Sequence, residues 1–293
     1  MRRIALAGIV VALAVAAAGC GGSGGGSTTV LAKQTHGNPC SKSKLHLFHH
    51  AQLTVGTDNP AYPPWYGGKP GHGWKVADPY SGKGYESAVV YALGTKLGFP
   101  QGEVKWTYVP FAKSYAPGQK GFDFDINQIS YTPERAKAVD FSDSYYDVNQ
   151  AIVVHKGTPI AKAKSIADLK PYTLGAEIGT TSYQFIKSTI KPKSIKVYNS
   201  NDLAVAGLKA NRIDGLVVDL PTAFYVTAVQ VPNSEILGQF TNKTGEHFGM
   251  TFQKGNPLVT CVNKALAQMK SDGTLKRINT RWLSKVVSVP VLH

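Results

Sequence analysis

From residue 45 onward the apolar positions switch repeatedly between two periods: alternation by two, which marks strands, and recurrence every three to four residues, which marks helices. The stretch LHLFHHAQLTVGTD closes in a short apolar strand around Thr54 to Thr57. Residues 66–84 are rich in Gly, Pro, Lys and Asp and predict a long loop. Tyr85, Ala88, Val89, Ala92, Leu93 and Leu97 then share one helical face, VKWTYV alternates as a strand, and FDFDI is another short one. Thr132 before Pro133 is an N-cap followed by a first-turn proline, so TPERAKA opens a helix. After Tyr145-Tyr146 the pattern restarts: AIVVH, YTLGAEI, SIKVY and GLVVD read as strands, and IADLK as a helical turn. TTSYQFIKSTI, NDLAVAGLKAN and PTAFYVTAVQ read as helices. HFGMTFQ is a further strand, and two helices follow, one from Asn256-Pro257 to Asp272-Gly273 and one over TLKRINTRWL with Leu275, Ile278 and Trp282 inward. Strands alternating with helices predict an α/β fold with largely parallel sheets, and two such units predict two lobes with a cleft between them.

The first residues carry a different signal. Met1-Arg2-Arg3 is a basic start, and the uncharged run IALAGIVVALAVAAA suits a signal peptide better than a membrane span. It closes on Ala17-Ala18-Gly19-Cys20, which resembles a bacterial lipobox with Cys20 as the lipidated residue, although Ala17 stands where Leu is usual. An ordinary cleaved signal peptide is the alternative. GGSGGGSTT reads as a flexible tether. The expectation is an exported protein held at the membrane by its N-terminal lipid.

Composition narrows the partners. The 293 residues are 43% hydrophobic and 10% aromatic, enough for two real cores, and the net charge is +14. Its lysines are dispersed (KSK at 42–44, AKAK at 161–164, KPKSIK at 191–196) and form no basic stripe interleaved with aromatics, so no nucleic-acid partner is expected. Of the three cysteines, Cys20 belongs to the lipobox, which leaves Cys40 and Cys261 as a candidate disulfide in an oxidising compartment. His36, His46, His49 and His50 cluster without the spacing of a helical or hairpin metal site, so no metal and no cofactor are expected.

Candidate chemistry sits at strand-to-helix junctions, where helix N-termini offer free N–H groups. Gly179-Thr180-Thr181 follows a strand and opens a helix. Ser130 and Thr132 precede Arg135, whose guanidinium matches a carboxylate. Asp219 ends a strand and suits an ammonium. Singly, each has a plainer reading: a turn, a surface charge, an N-cap. Together they are what an α-amino acid needs.

VGTDNPAYPPW, SYTPERAKAVDFSDSYY, EIGTTSYQF, LVVDLPTA, FGMTFQKGNP and VNKALAQMKSDGTLKRINTRWL, in this order over residues 52–283, resemble the family 3 periplasmic solute-binding proteins, the polar amino-acid binders. The resemblance implies a two-lobed, type II-like Venus-flytrap fold with two hinge crossovers, near residues 147–151 and 244–248. It implies residues 1–20 as lipoprotein signal, 21–44 as tether and N-terminal segment, 45–147 plus 248–293 as lobe 1 and 148–247 as lobe 2. Function would be extracytoplasmic binding of an L-amino acid by a monomer that delivers it to an ABC permease. Carried over, Arg135 holds the ligand carboxylate with Ser130, Thr180 and Thr181, and Asp219 takes the ammonium. Tyr62 covers the ligand and Phe111 stacks on its side chain; apart from the resemblance, Trp65 beside Tyr62 is expected to add a further aromatic face to the cleft. Asp58 stands where binders of cationic side chains, and also glutamine binders, place a carboxylate. Asn127 and Gln128 replace small residues of the pocket floor, Glu86 replaces an Asp, and the 66–84 loop is longer than usual. The expected ligand is glutamine, histidine, arginine or lysine, with aromatic amino acids as runner-up. A cyclohexadienyl or arogenate dehydratase-like enzyme on the same scaffold, or a ligand-sensing module, are the alternatives; no paired acid and base stands out for catalysis.

Overall fold

A computed structural model of the chain describes residues 38–241, 245–283 and 289–293. Cys20, the signal, most of the tether and His36 lie outside the described residues. The chain runs through β1 (Leu53–Thr57), α1 (Tyr85–Leu97), β2 (Val104–Tyr108), the single turn α2 (Phe111–Ser114), β3 (Phe124–Asp125), α3 (Pro133–Ala138) and β4 (Val139–Phe141). At β5 (Tyr146–Asp147) it crosses to β6 (Gln150–His155), β7 (Thr173–Glu177), α4 (Thr181–Phe185), β8 (Ser194–Tyr198) and α5 (Asn201–Lys209). Then come β9 (Gly215–Asp219), α6 (Leu220–Tyr225) and β10 (Ser234–Phe240). It returns at β11 (His247–Phe248) to β12 (Thr251–Gln253), α7 (Leu258–Ser271) and α8 (Thr274–Leu283), and ends on β13 (Val291–Leu292).

These strands form two sheets, ordered β2-β1-β3-β12-β4 and β13-β10-β6-β9-β7-β8. The two crossovers pair with each other, His247 opposite Asp147 and Phe248 opposite Tyr146. This is a two-lobed, type II-like α/β architecture. Both sheets are mixed, not largely parallel as the strand–helix alternation predicts. The strands that enter from a crossover, β12 in the first sheet and β6 in the second, run antiparallel to their neighbours. A strand arriving from the other lobe has no crossover helix on its own sheet to turn it parallel.

In the first lobe, Val55 and Phe124 of the sheet pack under Val89 and Leu93 of α1 and Val262, Leu266 and Met269 of α7. Helix α1 lies close to the long loop because Gly84 adopts φ +92°, where a Cβ would come within 2.4 Å of Tyr66 Cα. In the second lobe, alternate residues of β6 go to opposite faces: Ala151 and Val153 meet α5 and α6, and Ile152 and Val154 meet the side of α4. Both faces of that sheet are covered, which is why AIVV reads as an unbroken apolar run.

Three features depart from the sequence pattern. HFGMTFQ is two strands, β11 and β12, because Gly249 and Met250 carry the chain from the crossover ladder into the first sheet. SEILGQF is a strand without clean alternation, since a bulge between Ile236 and Gly238 shifts its register. Residues 289–293, assigned above to lobe 1 with the rest of 248–293, join the second sheet instead. There β13 pairs with Gln239 and Phe240 and buries Leu292, closing the free edge of β10. No helix among the described residues is long and apolar enough to cross a membrane.

Cys40 and Cys261 are joined in a disulfide that fastens the N-terminal segment to α7. With the two cysteines 221 positions apart in sequence, loop closure restricts the unfolded chain, and the paired Cys40→Ser, Cys261→Ser variant is expected to lose about 2–4 kcal/mol of stability. Chemical denaturation of the two proteins measures this. A thiol assay that finds both cysteines free in the unreduced domain would contradict the pairing.

Candidate functional site

The site lies where the carboxyl ends of the strands of both lobes meet, in a cavity of about 120 Å³. One water needs roughly 10–15 Å³ of such space, so the cavity corresponds to about eight to twelve waters, room for a small solute. Among the described residues, four side chains of the first lobe reach across the cavity to the second. Arg135 donates from Nη1 to the Ser130 carbonyl at 2.7 Å within its own lobe and from Nη2 to the Gly179 carbonyl of the other at 2.9 Å. Tyr62 Oη donates to Asp202 at 2.6 Å, Trp65 Nε1 to Thr222 Oγ1 at 3.1 Å, and Ser130 Oγ lies 3.3 Å from Thr181 Oγ1.

Local sequence places these groups. Thr132 caps α3, its Oγ1 accepting from Arg135 N–H at 3.1 Å, with Pro133 in the first turn. The capped turn aims Arg135 into the cleft, where Tyr115 lies under the guanidinium at 4.2 Å and Phe111 at 5.5 Å. Thr180 caps α4 in the same way, accepting from Tyr183 N–H. Gly179 reaches φ +77°, and a Cβ there would press on Tyr115 Oη at 2.9 Å, so the glycine permits the close approach of the lobes. Asp219 precedes α6 but makes no capping bond. Its carboxylate turns into the cleft and accepts from Gln150 Nε2 at 2.7 Å.

Of the sequence candidates, Asp58, Tyr62, Phe111, Asn127, Gln128, Ser130, Arg135, Thr180, Thr181 and Asp219 are brought together around this one cavity. Trp65 is not: its ring is 1% exposed, packed on Tyr85, Tyr146 and Phe248, and only its N–H reaches the cleft residue Thr222. Tyr66 lines the cavity instead, held by bonds from its hydroxyl to the Ile126 carbonyl and from Thr57 Oγ1. Gln128 lines the floor, but its amide is spoken for. It sits at φ +48°, a left-handed conformation unusual for a side chain of this size, and both its backbone N–H and its Nε2 donate to Glu86. That explains Glu86, which burial pushes up to about 7 against the pull of Tyr145 and Gln128.

Glu177, Ser182, Ser200, Asn201, Asp202 and Thr222 also line the cavity and were not sequence candidates. Glu177 ends β7 and Asp202 opens α5 after β8, so the strand-end rule that singles out Asp219 applies to them too. Glu177 is pushed up to about 7 by burial and then by Asp58, while the Asn201 N–H opposes the shift. Asp58 is raised by burial, against N–H bonds from Asn59 and Phe111, with Asp202 adding to the rise. Burial and then Glu246 hold Asp219 well above the usual carboxylate range. Among the described residues lining the cavity, Arg135 is the only cation, against Asp58, Glu177, Asp202 and Asp219.

Two α/β lobes joined by paired crossovers and closing on a polar cavity of this size define a solute-binding protein. The chain belongs to the bacterial extracellular solute-binding proteins, family 3, whose profile matches residues 53–285. It is 28% identical over 170 residues to the L-cystine-binding protein of Escherichia coli (strain K12), which covers 58% of this chain and 63% of that protein. Over 168 residues it is 33% identical to ABC transporter arginine-binding protein 1 of the same organism, 55% of this chain and 66% of that one. The chain thus spans just under two thirds of the length of these curated relatives. A solved ancestral arginine-binding protein bound to glutamine superposes with a TM-score of 0.66 at 32% identity, covering 80% of this chain and 99% of that one.

The raised carboxylates set a pH dependence. Glu86 and Glu177 release their protons at about 7 when folded, against 4.5 for an ordinary glutamate. The folded chain therefore binds more protons than the unfolded one between these values, and the associated stability, complete below the lower value, is lost as pH rises through the upper one. The melting temperature of the ligand-free protein is expected to fall from about pH 5 to about pH 8, and less steeply in Glu86→Gln. A melting temperature that climbs across this window would contradict the burial of these groups.

Proposed function

We propose that this protein captures an L-amino acid with a cationic side chain, L-arginine or L-lysine, outside the cytoplasm and delivers it to an ABC importer. One observation carries the choice of ligand: Asp58, Glu177 and Asp202 gather at the cavity with no cation among the described lining residues except Arg135. Arg135 and the α4 N-terminus with Thr180 and Thr181 hold the α-carboxylate, and Asp219 accepts from the α-ammonium. The side chain then runs between Phe111 and Tyr62 towards the three carboxylates. A neutral side chain such as glutamine's leaves those carboxylates without a counter-charge, and an acidic one is repelled. Near a protein surface a pair of unit charges about 4 Å apart is worth about 4 kcal/mol before desolvation.

The relatives named above are binding proteins for arginine and cystine, both carrying the α-amino acid head that Arg135 and Asp219 suit. Every proposed contact comes from one chain, so a monomer suffices. Cys20 in its lipobox-like setting serves as the lipid anchor in this reading, with the tether giving the lobes reach to a permease. Ligand recovered unchanged from the saturated protein distinguishes binding from a dehydratase-like turnover.

A thermal-shift screen of the twenty amino acids is expected to show the largest stabilisation with L-arginine or L-lysine. Glutamine should follow and glutamate give none; a screen led by leucine-like or acidic ligands would overturn the proposal. By calorimetry, Arg135→Ala is expected to cost about 2–5 kcal/mol of binding. A cationic ligand favours ionised Glu177 and Asp58, so affinity should rise from about pH 5 to about pH 8 and protons should be released on binding.

A further inference from the structure

Glu246 does not line the cavity and is not among the residues the sequence singles out, yet Ser130 of the cavity wall and Gln150, the donor to Asp219, converge on it. Ser130 Oγ donates to Glu246 Oε1 at 2.7 Å, and Gln150 Nε2 lies 3.2 Å from each Glu246 carboxylate oxygen. The same Nε2 donates to Asp219 Oδ1 at 2.7 Å, while Gln150 Oε1 accepts from Ser182 Oγ at 2.6 Å. The Gln150 amide is thereby oriented, its nitrogen towards two carboxylates and its oxygen towards a hydroxyl. On the other side, the Ser130 carbonyl carries Arg135 and its hydroxyl neighbours Thr181. Ser130 and Gln150 are buried, 2% and 4% exposed, so their polar atoms need partners within the protein. One carboxylate thus stands behind both the Arg135 and the Asp219 ends of the cavity, and it directly precedes β11, the returning crossover.

We propose that Glu246 is a positioning residue of the α-amino and α-carboxylate site, holding Asp219 through Gln150 and the Arg135 side through Ser130, and tying both to the returning crossover. The proposal rests on the reading of Arg135 and Asp219 as contacts of the ligand head. Because Glu246 and Asp219 share one amide donor, their charges repel, and a ligand ammonium arriving at Asp219 relieves that repulsion. Among the described residues, the other titratable and charged groups around the pair include Arg135 on α3, Glu86 on α1, Tyr146 on β5 beside Asp219, and His293, which lines a second cavity together with Glu246 and Gln150.

Glu246→Gln removes the charge while keeping the shape, and Glu246→Ala removes both. In the ligand-free protein, a 13C NMR titration of the Asp219 carboxyl is expected to show its midpoint about one pH unit lower in Glu246→Gln than in the wild type. In calorimetry with L-arginine between about pH 5 and pH 9, the pH profile of affinity should shift down with that midpoint. Glu246→Ala should weaken binding about tenfold, with Glu246→Gln recovering part of the loss. Thermal unfolding establishes that each variant is folded, and Glu246→Gln carries the test if Glu246→Ala is not. An unchanged Asp219 midpoint overturns the proposal, as does wild-type affinity with a wild-type pH profile in the variants. A wild type that ignores L-arginine overturns the ligand reading instead, and the ligand-free titration then decides the role of Glu246.

Discussion

A single buried guanidinium organises the molecule. Arg135 bonds the carbonyl of Ser130 in its own lobe and that of Gly179 in the other, resting on the face of Tyr115. Burial lowers its pKa, and Tyr115, Glu246 and Asp219 oppose that shift. A charge so enclosed needs partners from every side, because an unpaired ion away from water is far costlier than a paired one. Much of the site answers that need. The Thr132 cap fixes the direction of Arg135, Gly179 lets the facing backbone approach, and Asp219 and Glu246 supply the opposite charge beyond it.

The cavity is nonetheless over-supplied with carboxylates. Asp58, Glu177 and Asp202 lie beyond the reach of the bonds Arg135 makes, and burial, with their mutual repulsion adding to it, raises Asp58 and Glu177. In the proposed reading a cationic side chain arriving there exchanges protons held on these crowded acids for a fixed charge. The chain as a whole is strongly basic, +14, so the acidity is local and built by three strand ends and one helix start.

The pocket floor follows the same economy of polar groups. Gln128 occupies a left-handed position that a glycine would hold without strain, and Glu86, buried beneath it, receives both of its N–H donors and the Tyr145 hydroxyl. Glu86 and Gln128 thus act as one unit, a long acid reaching a long amide.

The chain by itself determined the strands and helices with clear periods, the caps at Thr132 and Thr180, and the family motifs around Arg135 and Asp219. Those features depend on residues close together in sequence, where period and capping chemistry act directly. Segments too short for a period, β4 and β13, and the bulged β10 were illegible, and so was the return of residues 289–293 to the second sheet. Trp65 shows the limit for single residues: its neighbours in sequence place it at the cleft, but the ring direction was decided by Tyr85, Tyr146 and Phe248 packing around it. Only the tertiary structure put Glu177 and Asp202 beside Asp58, and Glu246 behind Ser130 and Gln150. Charges separated by tens to more than a hundred residues interact through space, and the distance between them is a property of the fold alone.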